Sequence, residues 1–499
     1  MRSILTSIRV VELTVTIAAA CALALAFPKY NAGWLAPVGA AGLFWTWQRL
    51  SWKRAFWYGW FGGTLFFYLS SNWFGFTVGH LLGNFAPFFV LIPTMIEGLF
   101  VACAAVCAVF AFERAPAFVA PLGAAAAFTI FEWLRSIGVM GAPFAQLGYT
   151  QADSPLAVFA PYVGTFGVTF VVCTIGAYLA QAVDRRNNRN VAYALAVLLV
   201  LWAGCWLAWP ARHAAAASIR VAAVQGNISQ DVKWNKATLT KAENRYVELT
   251  RRAASFKPQL VVWPETVMTT DLARDPGLSN RLGLLARSLQ TTLVTGSINE
   301  HDGRYFNSSF IYDPSGALVN VYDKRQLVPF TEAFPGKAFL SWIPYSSLIT
   351  DFGTGHTDGV YDAGGLRFAP LICWESAFAD LAHAQMRNGA QIFVVSTDDA
   401  WFGTSSGPYQ HAQIAQMRAI ETGTWIVRAA STGISGIIAP DGRYTERTDL
   451  NREAVVLGMV GLPPGSMFAR IGPTPVLIGL VFLYLGLTLP VLRRKYARA

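Results

Sequence analysis

The sequence predicts two unlike parts, a multi-pass α-helical membrane domain and an α/β domain inserted before the last span. Three observations predict this division. Hydrophobic residues make up 54% of the 499 and charged residues 14%, a composition typical of membrane proteins. The apolar residues gather in eight runs, seven of which precede residue 211. From Arg212 to about Gly465 the chain instead alternates short apolar strands with polar helical stretches. The predicted domains are therefore 1–211, 212–468 and 469–499.

The apolar runs fall at about 10–27, 32–48, 55–78, 86–112, 117–134, 158–183, 191–209 and 473–492. Each is close to the ~20 residues a helix needs to cross the hydrocarbon core. The formal charge of +10 arises as +5 from Met1–Ala211, +1 from Arg212–Gly472 and +4 from Arg493–Ala499. This excess borders apolar runs, so it reports topology and gives no sign of a nucleic-acid partner. Thirteen basic residues, from Arg2 and Arg9 to Arg493, Arg494, Lys495 and Arg498, flank one side of the spans. Two, Lys29 and Arg135, flank the other. That bias puts both termini in the cytoplasm and the polar domain outside. The first 27 residues also resemble a secretory signal, but cleavage would break the parity of the spans. Glu97 and Glu132 lie in or near apolar runs, where a carboxylate is expensive. They either line a polar or headgroup cavity, or reach the interface or pair with Arg135.

In the polar part, Ile219–Ser229, Gln259–Glu265, Thr291–Ile298, Asn307–Asp313 and Ala317–Tyr322 read as strands. The same holds for the run ending at Cys373, for Gln391–Ser396, Trp425–Ala430 and Gly433–Ala439. Helical stretches fall at Lys236–Ser255, Leu278–Leu289, after Cys373 to Arg387, and at Gln410–Thr422. Asp441-Gly442 marks a hairpin. Strands apolar throughout, alternating with helices, argue for α/β layers covered on both faces. There is no Walker loop, dinucleotide fingerprint or metal-ligand spacing, and the six histidines show no paired spacing, so neither a cofactor nor a metal is expected.

Three functional groups stand where strands end. Glu265 closes VVWPE, Lys324 follows VNVYD, and Cys373 closes PLIC. Acyl transfer needs a nucleophile, a base for its proton, and a cation or N–H groups for the oxyanion. Cysteine, glutamate and lysine supply these without a histidine. Cys373 is the one cysteine of six in the polar part, so no disulfide can form there. A strand delivering it directly to a helix N-terminus would favour its thiolate.

The words WPE, DKRQLVPF and ICWES, in that order, resemble the Glu-Lys-Cys motifs of the carbon–nitrogen hydrolase (nitrilase) superfamily. The spans around the α/β domain, with DAWFG at Asp399–Gly403, resemble its membrane-embedded branch, the apolipoprotein N-acyltransferases. The resemblance covers essentially the whole chain and implies a nitrilase-like αββα sandwich. It implies Cys373 as nucleophile, Glu265 as general base and Lys324 as oxyanion stabiliser. Glu332 matches a second carboxylate near the lysine, and Glu375 an acid that shapes the pocket. Trp234, Trp401 and Phe402 match aromatic residues near the active site, suited on an exposed loop to acyl chains at a membrane surface. Trp374 replaces a common tyrosine, Asp398 a common asparagine, and Ser431-Thr432-Gly433 an Asn-rich turn.

The implied reaction moves an acyl chain from a phospholipid to Cys373. It then passes to the α-amino group of the S-diacylglyceryl cysteine that begins an apolipoprotein. No cofactor is implied. The implied site is the periplasmic face of a bacterial inner membrane, so the lipid bilayer is itself a partner. The alternatives are a membrane-anchored amidase of the same superfamily and an inactive lipoprotein-binding scaffold.

Overall fold

The structure, a computed structural model, describes residues 10–83, 86–138, 140–185, 188–209, 218–234, 239–340, 351–363 and 365–489. Arg2, Arg9, the basic residues of 493–498 and the expected boundary at 211/212 lie outside them. The chain forms two compact units.

The helical unit holds α1 (Val10–Leu25), α2 (Leu35–Trp47), α3 (Trp52–Ser70), α4 (Trp73–Leu82), α5 (Ala86–Arg114), α6 (Ala120–Leu134), α7 (Ala160–Arg185) and α8 (Asn188–Leu207). The last helix of the chain, Pro473–Thr488, also belongs to it. The run expected as one span at 55–78 is two helices, because the chain leaves helical geometry at Ser71 (φ −113°, ψ 16°). By length and apolar content, Ala86–Arg114 and Pro155–Asp184 can each cross a membrane, while four further apolar helices have 10–17 residues.

The unit exposes large apolar side chains and encloses polar ones within a mainly apolar interior. Phe88, Leu199, Val200 and Phe482 are exposed, whereas Thr16, Thr129, Glu132, Arg135 and Gln181 are buried. Small residues bring helices close: a Cβ on Gly63 of α3 would stand 2.7 Å from Val101 Cβ of α5, the kind of approach that packs helices in lipid. The two carboxylates set in the apolar runs have different partners. Glu97 pairs with Arg135 Nη1 at 3.3 Å. Glu132 instead accepts from Leu147 N at 2.8 Å and Thr169 Oγ1 at 2.6 Å.

The α/β unit contains two sheets. The first runs β13-β1-β2-β4-β5-β6, with β3 (Met268–Asp271) also paired to β4. Its strands are β1 (Ile219–Gln225), β2 (Leu260–Val262), β4 (Thr292–His301), β5 (Arg304–Tyr312), β6 (Leu318–Asp323) and β13 (Ala454–Val460). The second runs β12-β11-β10-β9-β8-β7. It comprises β7 (Tyr361–Ala363), β8 (Leu366–Ile372), β9 (Ile392–Thr397), β10 (Trp425–Ala430), β11 (Gly436–Ile438) and β12 (Tyr444–Arg447).

Strand side chains alternate between two cores. Val221, Ala223, Val262 and Val294 face Phe368, Ile392, Val394 and Val427 across the gap between the sheets. Ala222, Val224, Val261 and Leu293 pack outward with Tyr246 and Leu249 of α9 (Leu239–Arg252) and Leu282 and Leu285 of α10 (Pro276–Leu289). On the other side Leu371, Phe393 and Val395 meet Leu381 of α11 (Ala379–Arg387) and Ala415 and Ala419 of α12 (Gly407–Thr422). Both faces of each sheet are therefore covered, which is why the central strands read as unbroken apolar runs. The result is an αββα sandwich.

Candidate active site

Glu265 and Lys324 follow strands of the first sheet, and Cys373 follows β8 of the second. After β2 the chain turns sharply: Thr266 is left-handed at φ +42°, rare for a β-branched residue. The turn lies against β4, where Gly296 N donates to Pro264 O at 3.1 Å. A Cβ on Gly296 would stand 2.5 Å from that oxygen. Gly296→Ala is therefore expected to displace Glu265 and to cost about 1–3 kcal/mol by overpacking. A melting temperature equal to wild type would show that the turn yields freely.

The two carboxylates and two donors interlock. Lys324 Nζ lies 3.1 Å from Glu265 Oε1 and 2.9 Å from Glu332 Oε1. Asn307 of β5 donates from Nδ2 to the same two oxygens, at 2.7 and 2.8 Å. The remaining oxygens are also held: Glu265 Oε2 by Asp398 N at 2.8 Å and Glu332 Oε2 by Val328 N at 2.8 Å. Lys233, buried, donates to Glu265 O at 3.1 Å and Thr266 Oγ1 at 2.6 Å and pairs with Asp398. An aspartate at 398 thus neutralises a buried lysine. Gln230 links Asp398 (2.6 Å) to the exposed Trp234, whose Nε1 donates to Gln230 Oε1 at 2.9 Å.

Cys373 has φ +52°. A non-glycine residue held there stores about 1–3 kcal/mol, a strain that recurs at functional sites. The helix expected directly after it is a single 3₁₀ turn, Cys373–Ala377, and α11 starts at Ala379. Helix-terminus stabilisation of the thiolate is accordingly replaced by a different electrostatic setting. Burial and the neighbouring Glu265 carboxylate push the thiol well above its usual range, against the pull of Lys324. For Glu265, burial works against the charge, but Lys324, Lys233 and the Asn307 hydrogen bond hold its carboxyl below the ordinary value. Burial likewise opposes the Lys324 charge, yet Glu265 and Glu332 hold its ammonium well above the ordinary range. Burial and charge thus set the three groups apart, with the thiol pushed up, the carboxyl held down and the ammonium held up.

Glu375 is fully buried and acts as a staple. It accepts from Ile372 N at 2.7 Å, Arg325 N at 2.6 Å and Tyr322 Oη at 3.0 Å, tying the Cys373 strand to the Lys324 loop. Burial outweighs these donors and lifts its pKa to about 7. Trp374 is half-buried, with its ring 6.1 Å from Phe378. Trp401 and Phe402 sit half-buried in the turn Asp399–Phe402, not on a fully exposed loop.

Residues 220–463 match the Carbon-nitrogen hydrolase family. An apolipoprotein N-acyltransferase of Coxiella burnetii is 30% identical over 480 residues, covering 93% of this chain and 97% of that relative. The chain belongs to the apolipoprotein N-acyltransferase family. Residues 19–178 match the family's Apolipoprotein N-acyltransferase N-terminal domain. The Geobacter metallireducens apolipoprotein N-acyltransferase is 35% identical over 68% of this chain and 67% of its own length. An amidase from Nesterenkonia sp. matches 53% of this chain and 96% of its own at 18% identity, with a TM-score of 0.40.

The sequence did not single out Asn307 or Lys233. A lysine in QDVKWN reads as a solvated side chain. Asn307 opens the strand expected at Asn307–Asp313, whereas β5 starts at Arg304 and buries it; a buried amide that must find partners is the signal that could have marked it.

Proposed function

We propose that the protein is a phospholipid:apolipoprotein N-acyltransferase of the bacterial inner membrane. In this reading Cys373 is the nucleophile, Glu265 its general base and Lys324 the oxyanion stabiliser. The observation that carries it is the Lys324 ammonium within 3.1 Å of Glu265 and 2.9 Å of Glu332, beside a cysteine in strained backbone geometry.

Glu265 takes the Cys373 proton as sulfur bonds to the ester carbonyl carbon of a phospholipid, at the sn-1 chain. The carbonyl oxygen becomes an oxyanion opposite the Lys324 ammonium. Collapse breaks the C–O bond, and the leaving alkoxide takes the proton back from Glu265 and departs as lysophospholipid. The α-amino group of a diacylglyceryl cysteine then attacks the thioester, Glu265 accepts its proton, and the thiolate leaves and is reprotonated. The product is an amide, and no nucleotide is required.

Both substrates are lipids, which accounts for a helical unit with apolar side chains outward and polar ones inward. Eight crossings, both termini cytoplasmic and the α/β unit periplasmic are the topology that fits the basic-residue bias. Glu332 and Asn307 keep Lys324 and Glu265 in register, and Trp234, Trp374, Trp401 and Phe402 border the acyl path.

The test is mass spectrometry of the purified protein after incubation with phospholipid, with Cys373→Ala as control. A hydroxylamine-sensitive acyl adduct on Cys373 that passes to a diacylated lipopeptide is expected, and Cys21→Ala and Cys205→Ala should behave as wild type. Release solely as fatty acid would identify an amidase-like hydrolase, and no adduct would identify a scaffold.

A further inference from the structure

His411, near the start of α12 and fully buried, lies outside the Glu265-Lys324-Glu332 cluster, yet it touches the backbone of the nucleophile. Its Nε2 is 3.1 Å from Cys373 O and 3.0 Å from Ser376 Oγ. Its Nδ1 is 2.9 Å from Asp399 Oδ1, so an acceptor faces each ring nitrogen and the imidazole donates from both, to the carboxylate at Nδ1 and to the Cys373 carbonyl at Nε2. Asp399 is in turn fixed by Arg428 Nη2 at 2.7 Å on its other oxygen. Thr397 Oγ1 donates to Asp399 Oδ1 at 2.9 Å. A Cβ on Gly433 would run into the Asp399 carboxylate, so glycine there is what leaves the carboxylate its room.

These contacts form a chain that ends on the nucleophile's own carbonyl: Thr397 and Arg428 hold Asp399, Asp399 holds His411, and His411 holds Cys373 O. We propose that His411, Asp399 and Thr397 are positioning residues that hold the carbonyl of Cys373, lock its left-handed conformation and so aim the sulfur. The inference rests on Cys373 being the nucleophile. A left-handed cysteine is not self-sustaining, and Ser376 Oγ, donating to Cys373 O at 2.9 Å, is a local contact within the same turn. Glu375 and Arg418 tie the rest of that turn to other elements; His411 anchors the Cys373 carbonyl itself, and the ring of Phe402 packs edge-on to it at 6.3 Å.

Two isosteres separate the halves of the imidazole. His411→Gln keeps a donor near the Nε2 position, facing Cys373 O. His411→Asn keeps one near the Nδ1 position, facing Asp399. The readout is single-turnover acylation of Cys373 by phosphatidylethanolamine in dodecyl maltoside micelles, followed by intact mass spectrometry over a range of donor concentrations. His411→Asn is expected to slow acylation at saturation about 100-fold, the scale of a misaimed reacting atom, with half-saturation unchanged. His411→Gln should remain within about tenfold of wild type, the loss of one hydrogen bond. Thr397→Val, which keeps the volume and removes the hydroxyl, should also slow the maximal rate with half-saturation unchanged, and it decides the matter if neither histidine variant folds. Equal rates for the Asn and Gln variants, or a Thr397→Val protein at wild-type speed, overturn the brace. A wild-type protein that forms no adduct on Cys373 removes the nucleophile that the brace serves, and so overturns the functional reading together with it.

Discussion

Glu265→Gln should slow acylation of Cys373 by about three to four orders of magnitude, the upper range for loss of a positioned general base. The size follows from the mismatch between the two groups. The thiol is pushed up and the carboxyl held down, so sulfur depends on a base beside it to lose its proton. A glutamine can still accept from Asp398 N and occupy the space beside Lys324, which keeps the fold. Rapid-quench measurement of the acyl adduct reports the effect. A variant within tenfold of wild type would mean that another group takes the proton.

Lys324→Met should damage both stability and rate. The lysine is 1% exposed, and removing it strands two carboxylates that share Asn307 as a neutral donor. Breaking a buried ion pair from one side costs about 3–5 kcal/mol, and loss of an oxyanion donor costs about 10²–10³ in rate. The pH dependence carries a sign. Glu265 has its folded pKa below the ordinary 4.5, so its contribution is present above that value and is lost as pH falls through the folded pKa. Lys324 has its folded pKa above 10.5, so its contribution is full below 10.5 and is lost as pH rises through the folded pKa. The stability difference between wild type and variant should therefore be flat from about pH 5 to 10 and shrink at both ends. Urea titrations across pH check it, and a difference that grows towards acid would refute the pairing.

What the sequence exposed and what it hid follow from how far the relevant partners lie along the chain. VVWPE, VNVYDK and PLIC each show an apolar run stopping at one chemical group, a local pattern, and the structure places all three groups at strand ends. His411 carries no such mark. Its partner Asp399 sits twelve residues earlier in the chain, in a turn, and the pair meets because α12 folds back over β9. The left-handed backbone at Cys373 was equally silent, since the usual flag is glycine and the proposed nucleophile needs a side chain. The break after α3 was hidden by hydropathy itself: LSSNWFGF remains apolar enough to pass for one span, although three consecutive polar residues, Ser70 to Asn72, interrupt it.

Glu265 and Lys324 hang from one sheet and Cys373 from the other, and the sheets are joined by an apolar inner core and by hydrogen bonds such as Ser396 Oγ to Trp263 O at 3.0 Å. Neither half of the sandwich owns a working centre. Catalysis and the docking of the two sheets are consequently one event: turnover reports whether the seam is shut, and a fragment bearing a single sheet would inherit a broken lock.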